Sequence, residues 1–385
     1  MIAQTLEITR FNLLGLKSRL YSSLVIVVGI GAVVSVLVSI LAMGNGFRAS
    51  LVDAARADRA LVLRAGSDGE MNSSVSIEQA AIISQMEGVF ETSTELFAVM
   101  DVPKRDNNAI ANLPLRGVSA EAFSIRPEIN MIAGRPFEWG TSEVIAGVKA
   151  SAEFQGVDLR SELPMRDMQL SIVGLFESDG GIYESEIWGD VRTLQGAMRR
   201  PDFTSLRVRF DPSMIDALNQ RLEDDKRLQH SFLPESEFYA QQSESTSGLI
   251  TVFGYIVASI MAVGAIFGAL NTMYSAVSVR AREIATLRAL GFAALPVVIS
   301  VMIEALALAL AGGIVGAGSA YLLFNGYTAS TLNQSSFSQV AFDFAVTPEL
   351  MTLGVTWAIT LGFVGGLLPA LQAARMPIVQ VLRGE

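Results

Sequence analysis

Hydrophobic positions along this chain gather into four long runs. Residues 22–43, 248–277, 295–324 and 350–374 are almost without charge, and Glu304, in the third run, is the single charged side chain among them. A helix needs roughly 20 apolar residues at about 1.5 Å each to cross the hydrocarbon layer of a bilayer. Each run meets that length, so the pattern predicts four transmembrane helices. The first run follows Arg10, Lys17 and Arg19, as the apolar part of a secretory signal would. It is longer than the roughly 7–15 residues of such a signal and no small-x-small cleavage site follows, so it reads as an uncleaved anchor.

Residues 44–247, between the first two runs, change pattern. ALVLRA (60–65), VFETSTELFAVM (89–100), MQLSIVGLF (168–176) and TSLRVRF (204–210) are short, β-branched or alternating, and read as strands. SIEQAAIISQMEG (76–88) reads as a helix with Ser76 as its N-cap, and DPSMIDALNQRLED opens a second with Asp211 as cap and Pro212 in the first helical position. Strands interleaved with helices predict an α+β module. The expected fold is an α-helical membrane protein with four transmembrane helices and an α+β extracytoplasmic domain inserted between helices 1 and 2. NGFRASLVDAARAD and PESEFYAQQSESTSG, at its two ends, read as helical stalks, although Gly44 and Gly46 weigh against the first. Residues 325–349 read as a short extracytoplasmic loop.

Charge orients this arrangement. The chain is 51% apolar and 17% charged, against about a quarter charged for a soluble domain. Residues 44–247 hold 20 basic and 32 acidic side chains. The other eight basic residues fall in three places: Arg10, Lys17 and Arg19; Arg280, Arg282 and Arg288; and Arg375 and Arg383. With four spans these lie on one side, which the positive-inside rule makes cytoplasmic. Both termini (1–21 and 375–385) and the segment 278–294 are then cytoplasmic, in a bacterial inner membrane.

Little catalytic chemistry is legible. There is no cysteine. The one histidine, His230, sits in a polar stretch and reads as a solvated surface residue. The chain lacks GxxxxGK[ST], HExxH, GxSxG and the dinucleotide fingerprint. Its carboxylates read as a solvated acidic surface rather than an acid/base pair, and net charge −10 disfavours nucleic acid. No catalytic residue, cofactor or metal site is expected in this chain.

The segment SVRAREIATLRALGF (278–292) is the charged interruption between the second and third runs. On a helix, Ile284, Leu287 and Leu290 share one arc, Arg282 and Thr286 lie opposite, and Arg280 and Arg288 flank the stripe. Gly291 is placed to stop it, and Glu283 is within i, i−3 reach of Arg280. Such a helix lies on lipid phosphates or docks into a partner; periodicity leaves both open. Glu304, near the cytoplasmic end of its span, reads as a structural acid bonded to a neighbouring helix or buried at a dimer interface. Gly312, Gly313, Gly316 and Gly318, with Gly264 and Gly268, permit close helix approach and read as bundle packing.

The motif RAREIATLRALGF (280–292) resembles the signature of the FtsX-like, MacB-type ABC transporter permeases. PALQAARMPIVQVLRGE (369–385) is similar to that family's closing pattern, and IEALALALAGGIVG (303–316), LRGVSAEAF, MIAGRPF and LSIVGLFES share its rhythm. The resemblance implies a homo- or heterodimer of permease chains driven by separate ABC ATPase subunits that bind ATP and Mg. It makes 278–294 a coupling helix, with Ile284, Leu287 and Leu290 in a groove of the ATPase, Arg282, Glu283 and Arg288 at the rim, and Gly291 as the stop. Motion of the spans would pass through the stalks to the outer domain, as mechanotransmission. Substrate readings are efflux with a periplasmic adaptor, extraction of lipoproteins or lipids, and control of cell-wall hydrolases. From another class comes an ATPase-free membrane sensor or scaffold.

Overall fold

The computed structural model describes residues 20–52, 55–333, 336–378 and 381. Arg10, Lys17, Arg19 and Arg383, which carried part of the charge argument, lie outside the described residues. In chain order the elements are α1 (Leu20–Val52), β1 (Arg59–Arg64), α2 (Ile77–Ser84), β2 (Val89–Pro103), β3 (Ile110–Val118), α3 (Ala122–Ile125), β4 (Asn130–Gly134), β5 (Glu143–Gly147), α4 (Val148–Glu153), β6 (Glu162–Met165), β7 (Met168–Glu177), β8 (Ile187–Asp190), α5 (Val191–Met198), β9 (Ser205–Phe210), α6 (Ile215–Asp224), β10 (His230–Pro234), α7 (Glu235–Val279), α8 (Ala281–Ala289), α9 (Ala294–Phe324), β11 (Thr328–Asn333), β12 (Ser338–Asp343) and α10 (Pro348–Arg375). They form two units: a helical one (the described residues up to Asn45, Leu249–Tyr327 and those from Phe344), and a mixed one (Gly46–Gly248 with Thr328–Asp343).

The helical unit is built from α1, α7, α9 and α10, which among the described residues are the four helices long and apolar enough to cross a membrane. Small residues let them approach. A methyl group on Gly316 would lie 2.4 Å from the Gly31 carbonyl oxygen, and one on Gly312 2.9 Å from that of Val27, so α9 meets α1 backbone to backbone. Gly313 of α9 faces Ala358, and Gly362 and Gly366 of α10 face Ala309 and Ala305, which seats α10 on α9 in the same way. Gly264, Gly268 and Gly318 have open space beside them, so among the described residues no helix uses them for close approach. The buried core runs through Ile30, Val34, Val301, Ala305 and Ala309, and Ser319 of α9 donates to Ser35 of α1 at 3.1 Å.

Both helices that bracket the mixed unit are longer than a span requires. α7 has 45 residues, more than twice the roughly 20 a bilayer needs. α1 continues through Gly44 and Gly46 to Val52. Glycine costs a helix only about 1 kcal/mol, too little to end one that continues on both sides.

The mixed unit is organised on one sheet of order β10-β1-β9-β2-β3-β8-β5-β7-β4, with β6 paired to β7. Most pairs are antiparallel, but β3 with β8 and β5 with β7 are parallel. The alternation read in 168–176 is that of β7, which buries Leu170, Ile172 and Phe176 on one face. Ser76 caps α2 through a capping box with Gln79. β3 escaped the sequence reading because Pro114 interrupts it. That proline lies just outside the stretch Leu115–Val118 that pairs with β8, where a missing N–H is tolerated.

Residues 325–349 are not a plain loop. β11 and β12 form an antiparallel hairpin, Thr328 opposite Asp343 and Asn333 opposite Ser338, which belongs to the mixed unit. Asn112 donates to the Phe337 carbonyl at 2.6 Å, Lys104 to Ser330 Oγ at 2.8 Å, and the Ala341 amide to Ser185 Oγ at 3.0 Å. The Phe342 ring sits edge-on to Phe47, centroids 5.4 Å apart.

Candidate coupling site

α8 occupies the charged interruption between α7 and α9, and its limits follow from its sequence. At its C-terminal end the Phe292 amide bonds to the Leu287 carbonyl and the Gly291 amide to that of Arg288, with Gly291 at φ +94°. This is the Schellman pattern, and a glycine at the left-handed position supplies it without steric cost. Gly291 therefore ends the helix.

The faces of α8 differ in part from the expectation. Ile284 is buried with Val277, Val297 and Val301 in the bundle core, beside buried Ala285. It is spent inside this chain, because α8 lies against the ends of α7 and α9 and its most apolar face closes that gap. Leu287 is half-buried, whereas Leu290 is 74% exposed. Arg282, Glu283 and Thr286 are exposed. The outward face is thus polar along its length and apolar at its C-terminal end.

Arg280 and Arg288 do not behave as flanking surface charges. Arg280, between α7 and α8, is 6% exposed. Its Nη1 and Nη2 donate to Glu304 Oε2 and Oε1 at 2.8 and 2.7 Å. An acid inside a span needs a counter-charge, because burying a carboxylate alone is costly. The i, i−3 pairing of Glu283 with Arg280 is replaced by this buried two-point bond, the stronger geometry. Arg288 donates through Nη1 to the Ala374 carbonyl at 2.5 Å, in the last turn of α10, where cations offset unsatisfied carbonyls. The signal for the first pair was present in the sequence: a lone acid in a span and three arginines in the adjoining segment. Which arginine answers it depends on the turn between α7 and α8.

The mixed unit holds a second concentration of charge, where a solvated acidic surface was expected. Glu70, Glu95, Glu186 and Glu235 are buried and paired. Arg116 donates to Glu70 (2.8 Å), Glu95 (2.8 Å) and Glu186 (2.7 Å). Arg126 reaches Glu95 at 2.6 Å and lies over the rings of Tyr183 and Trp188. Arg207 holds Glu235 at 2.7 Å, and Glu235, the first residue of α7, also accepts from Tyr183 Oη. Burial alone would raise the Glu70 pKa; the charge and hydrogen bonds of Arg116 outweigh it and bring the group down to about 2. Burial raises the Tyr183 pKa well above the usual phenol value. Every one of these carboxylates is held by a guanidinium, which makes the cluster a fastening between strands rather than an acid/base pair. His230 is buried too, its Nε2 3.1 Å from the Ser74 carbonyl, and burial lowers its pKa. Among the described residues no group of three or more His, Asp or Glu side chains could hold a metal ion.

Family models match both parts of the chain. Residues 23–225 match the MacB-like periplasmic core domain and residues 255–378 the FtsX-like permease C-terminal domain. The chain belongs to the FtsX-like ABC transporter permeases with a MacB-like core domain. This permease is 23% identical to the macrolide export ATP-binding/permease protein MacB of Hyphomonas neptunium, over 100% of this chain and 62% of that protein. It is 24% identical to the MacB of an Azoarcus species, over 100% and 60%. An uncharacterised ABC transporter permease of Bacillus subtilis, YknZ, is 25% identical over 56% of this chain and 54% of its own. The permease thus spans about three fifths of the MacB relatives it matches. Among solved structures, the extracellular domain of YknZ from Gram-positive bacteria aligns at TM-score 0.36 and 16% identity, covering 46% of this chain and 99% of that one. The periplasmic region of MacB from Actinobacillus actinomycetemcomitans aligns at 0.37 and 11%, over 48% and 92%. The FtsX-like match contains all of α8 and α9, so Arg280, Arg288 and Glu304 belong to the matched permease segment.

Proposed function

We propose that this permease couples ATP hydrolysis, carried out by an ATPase outside these 385 residues, to movement of its mixed α+β unit, in a dimer of permease chains in a bacterial inner membrane. The carrying observation is α8: a short helix fixed to the bundle by its inner face, with Arg282, Glu283, Thr286 and Leu290 turned outward. A helix fastened on one side and exposed on the other is built to receive a partner. Here that partner is the ATPase, Leu290 and the half-exposed Leu287 entering its groove and Arg282 and Glu283 pairing at its rim. α8 and both termini are cytoplasmic in this reading, and the mixed unit is periplasmic. ATP-driven closure moves the spans, and α1 and α7 pass the motion outward. The relatives matched over the whole chain are named macrolide export proteins, which supports efflux over lipoprotein extraction or hydrolase control.

The absence of cysteine makes this testable with single introduced thiols. In intact spheroplasts a membrane-impermeant maleimide should label Asn107→Cys and should reach Thr286→Cys only after lysis. Leu290→Asp and Glu283→Arg should each abolish co-purification of the ATPase while leaving the melting transition of the permease in place. Labelling of both thiols from the same side would overturn the topology. A wild-type permease that retains no ATPase would favour the sensor or scaffold.

A further inference from the structure

The two guanidinium contacts of α8 sit at its opposite ends and lead to different helices. Arg280 immediately precedes the first residue of α8 and is bound at two points to Glu304 of α9; both side chains are buried. Arg288, in the last turn, is bound to the α10 backbone at Ala374. Between them Ile284 and Ala285 fill the bundle core. A helix resting on lipid, or needed only to link two spans, requires neither contact. Burial of Ile284 alone would hold α8 near the bundle but leave it free to slide or roll, because apolar contact is not directional. A bidentate guanidinium–carboxylate pair fixes both distance and angle.

We infer that Arg280 and Glu304, assisted by Arg288, form a transmission clamp that makes α8, α9 and α10 respond as one body to a push on α8. The inference rests on α8 being the ATPase-docking helix. Arg280 and Glu304 are positioning residues: both are buried and act through the orientation of α8.

A purely structural pair makes a different forecast. Replacing a buried ion pair by apolar side chains of similar volume is often neutral or stabilising, whereas removing one partner strands a buried charge. The double variant Arg280→Met/Glu304→Leu therefore keeps the fold and removes only direction. In the full permease–ATPase complex three quantities are read: ATPase retained, ATP hydrolysed, and the ATP-dependent change in hydrogen–deuterium exchange over residues 328–343, which join α9 to α10. The double variant should retain and drive the ATPase while its exchange response falls about tenfold, the scale of a lost coupling energy. Glu304→Gln, which keeps a hydrogen bond to Arg280, should recover part of the response. Should the double variant respond as the wild type does, the clamp is a fastening only and the inference fails. Should the wild-type complex hold no ATPase, the docking reading fails first and the clamp falls with it.

Discussion

Arg116 shows what individual charges do in this molecule. Its guanidinium serves three carboxylates at 2.7–2.8 Å, and all four groups are withdrawn from water. Removing it takes the guanidinium from Glu70 and Glu186 and leaves Glu95 to Arg126 alone, so Arg116→Met should destabilise the mixed unit by about 3–5 kcal/mol, the usual cost of breaking a buried pair. The same residue sets an acid limb. Glu70 titrates near pH 2 when folded against 4.5 as a free side chain. Its stabilisation is therefore complete above about pH 4.5 and is lost as pH falls from there toward 2. His230 acts at higher pH: burial holds its pKa below 6.5, so the unfolded state takes up the proton first and stability declines as pH drops through that value. Thermal melts followed through buried Trp188 should show both steps, and Arg116→Met should lose most of the lower one. Unchanged melting of Arg116→Met across this range would contradict the account.

At the scale of elements, α8 depends on one backbone position. Gly291 holds φ +94° with no atom within 4 Å of where a methyl group would stand, so the cost of Gly291→Ala is conformational alone, about 1–2 kcal/mol. The expected result is a frayed last turn, a displaced Leu290 and ATPase binding weakened by roughly tenfold, measured by titration of the purified partner. Gly291 was legible in the sequence because a glycine after an amphipathic run is itself the stop signal. The inward turn of Ile284 was not, since periodicity gives the angle between side chains and not which side faces the protein. Strands such as β2, β7 and β9 were visible through alternation; β3 was hidden by Pro114, and β11 by its run of Thr, Ser and Asn. Buried acids escaped for a related reason. A glutamate reads as surface unless its arginine is known, and Glu186 finds Arg116 70 residues away.

For the whole molecule, the sequence read residues 325–349 as a short loop, and the structure adds that 328–343 fold with the mixed unit. Those residues are polar enough to pass for a connector, and only pairing across the hairpin and onto Asn112, Lys104 and Ser185 reveals their place. A soluble fragment of residues 46–248 should therefore melt below the same fragment carrying 328–343 on a flexible linker. For a unit of this size the gap should be about 2–4 °C per kcal/mol of contact restored. Identical melting curves would mean that the hairpin is an ornament rather than part of the core.

That hairpin also imposes an order on biosynthesis. The ribosome completes residue 248 long before it reaches residue 343, and α7, α8 and α9 emerge in between. Throughout that interval Phe47 and Ser185 wait without Phe342 and Ala341. The mixed unit is thus finished only once two further apolar helices have been made, so a chain stalled or cleaved within α9 leaves that unit with an incomplete surface. Quality control that senses exposed apolar edges would distinguish unfinished permeases from finished ones at this seam.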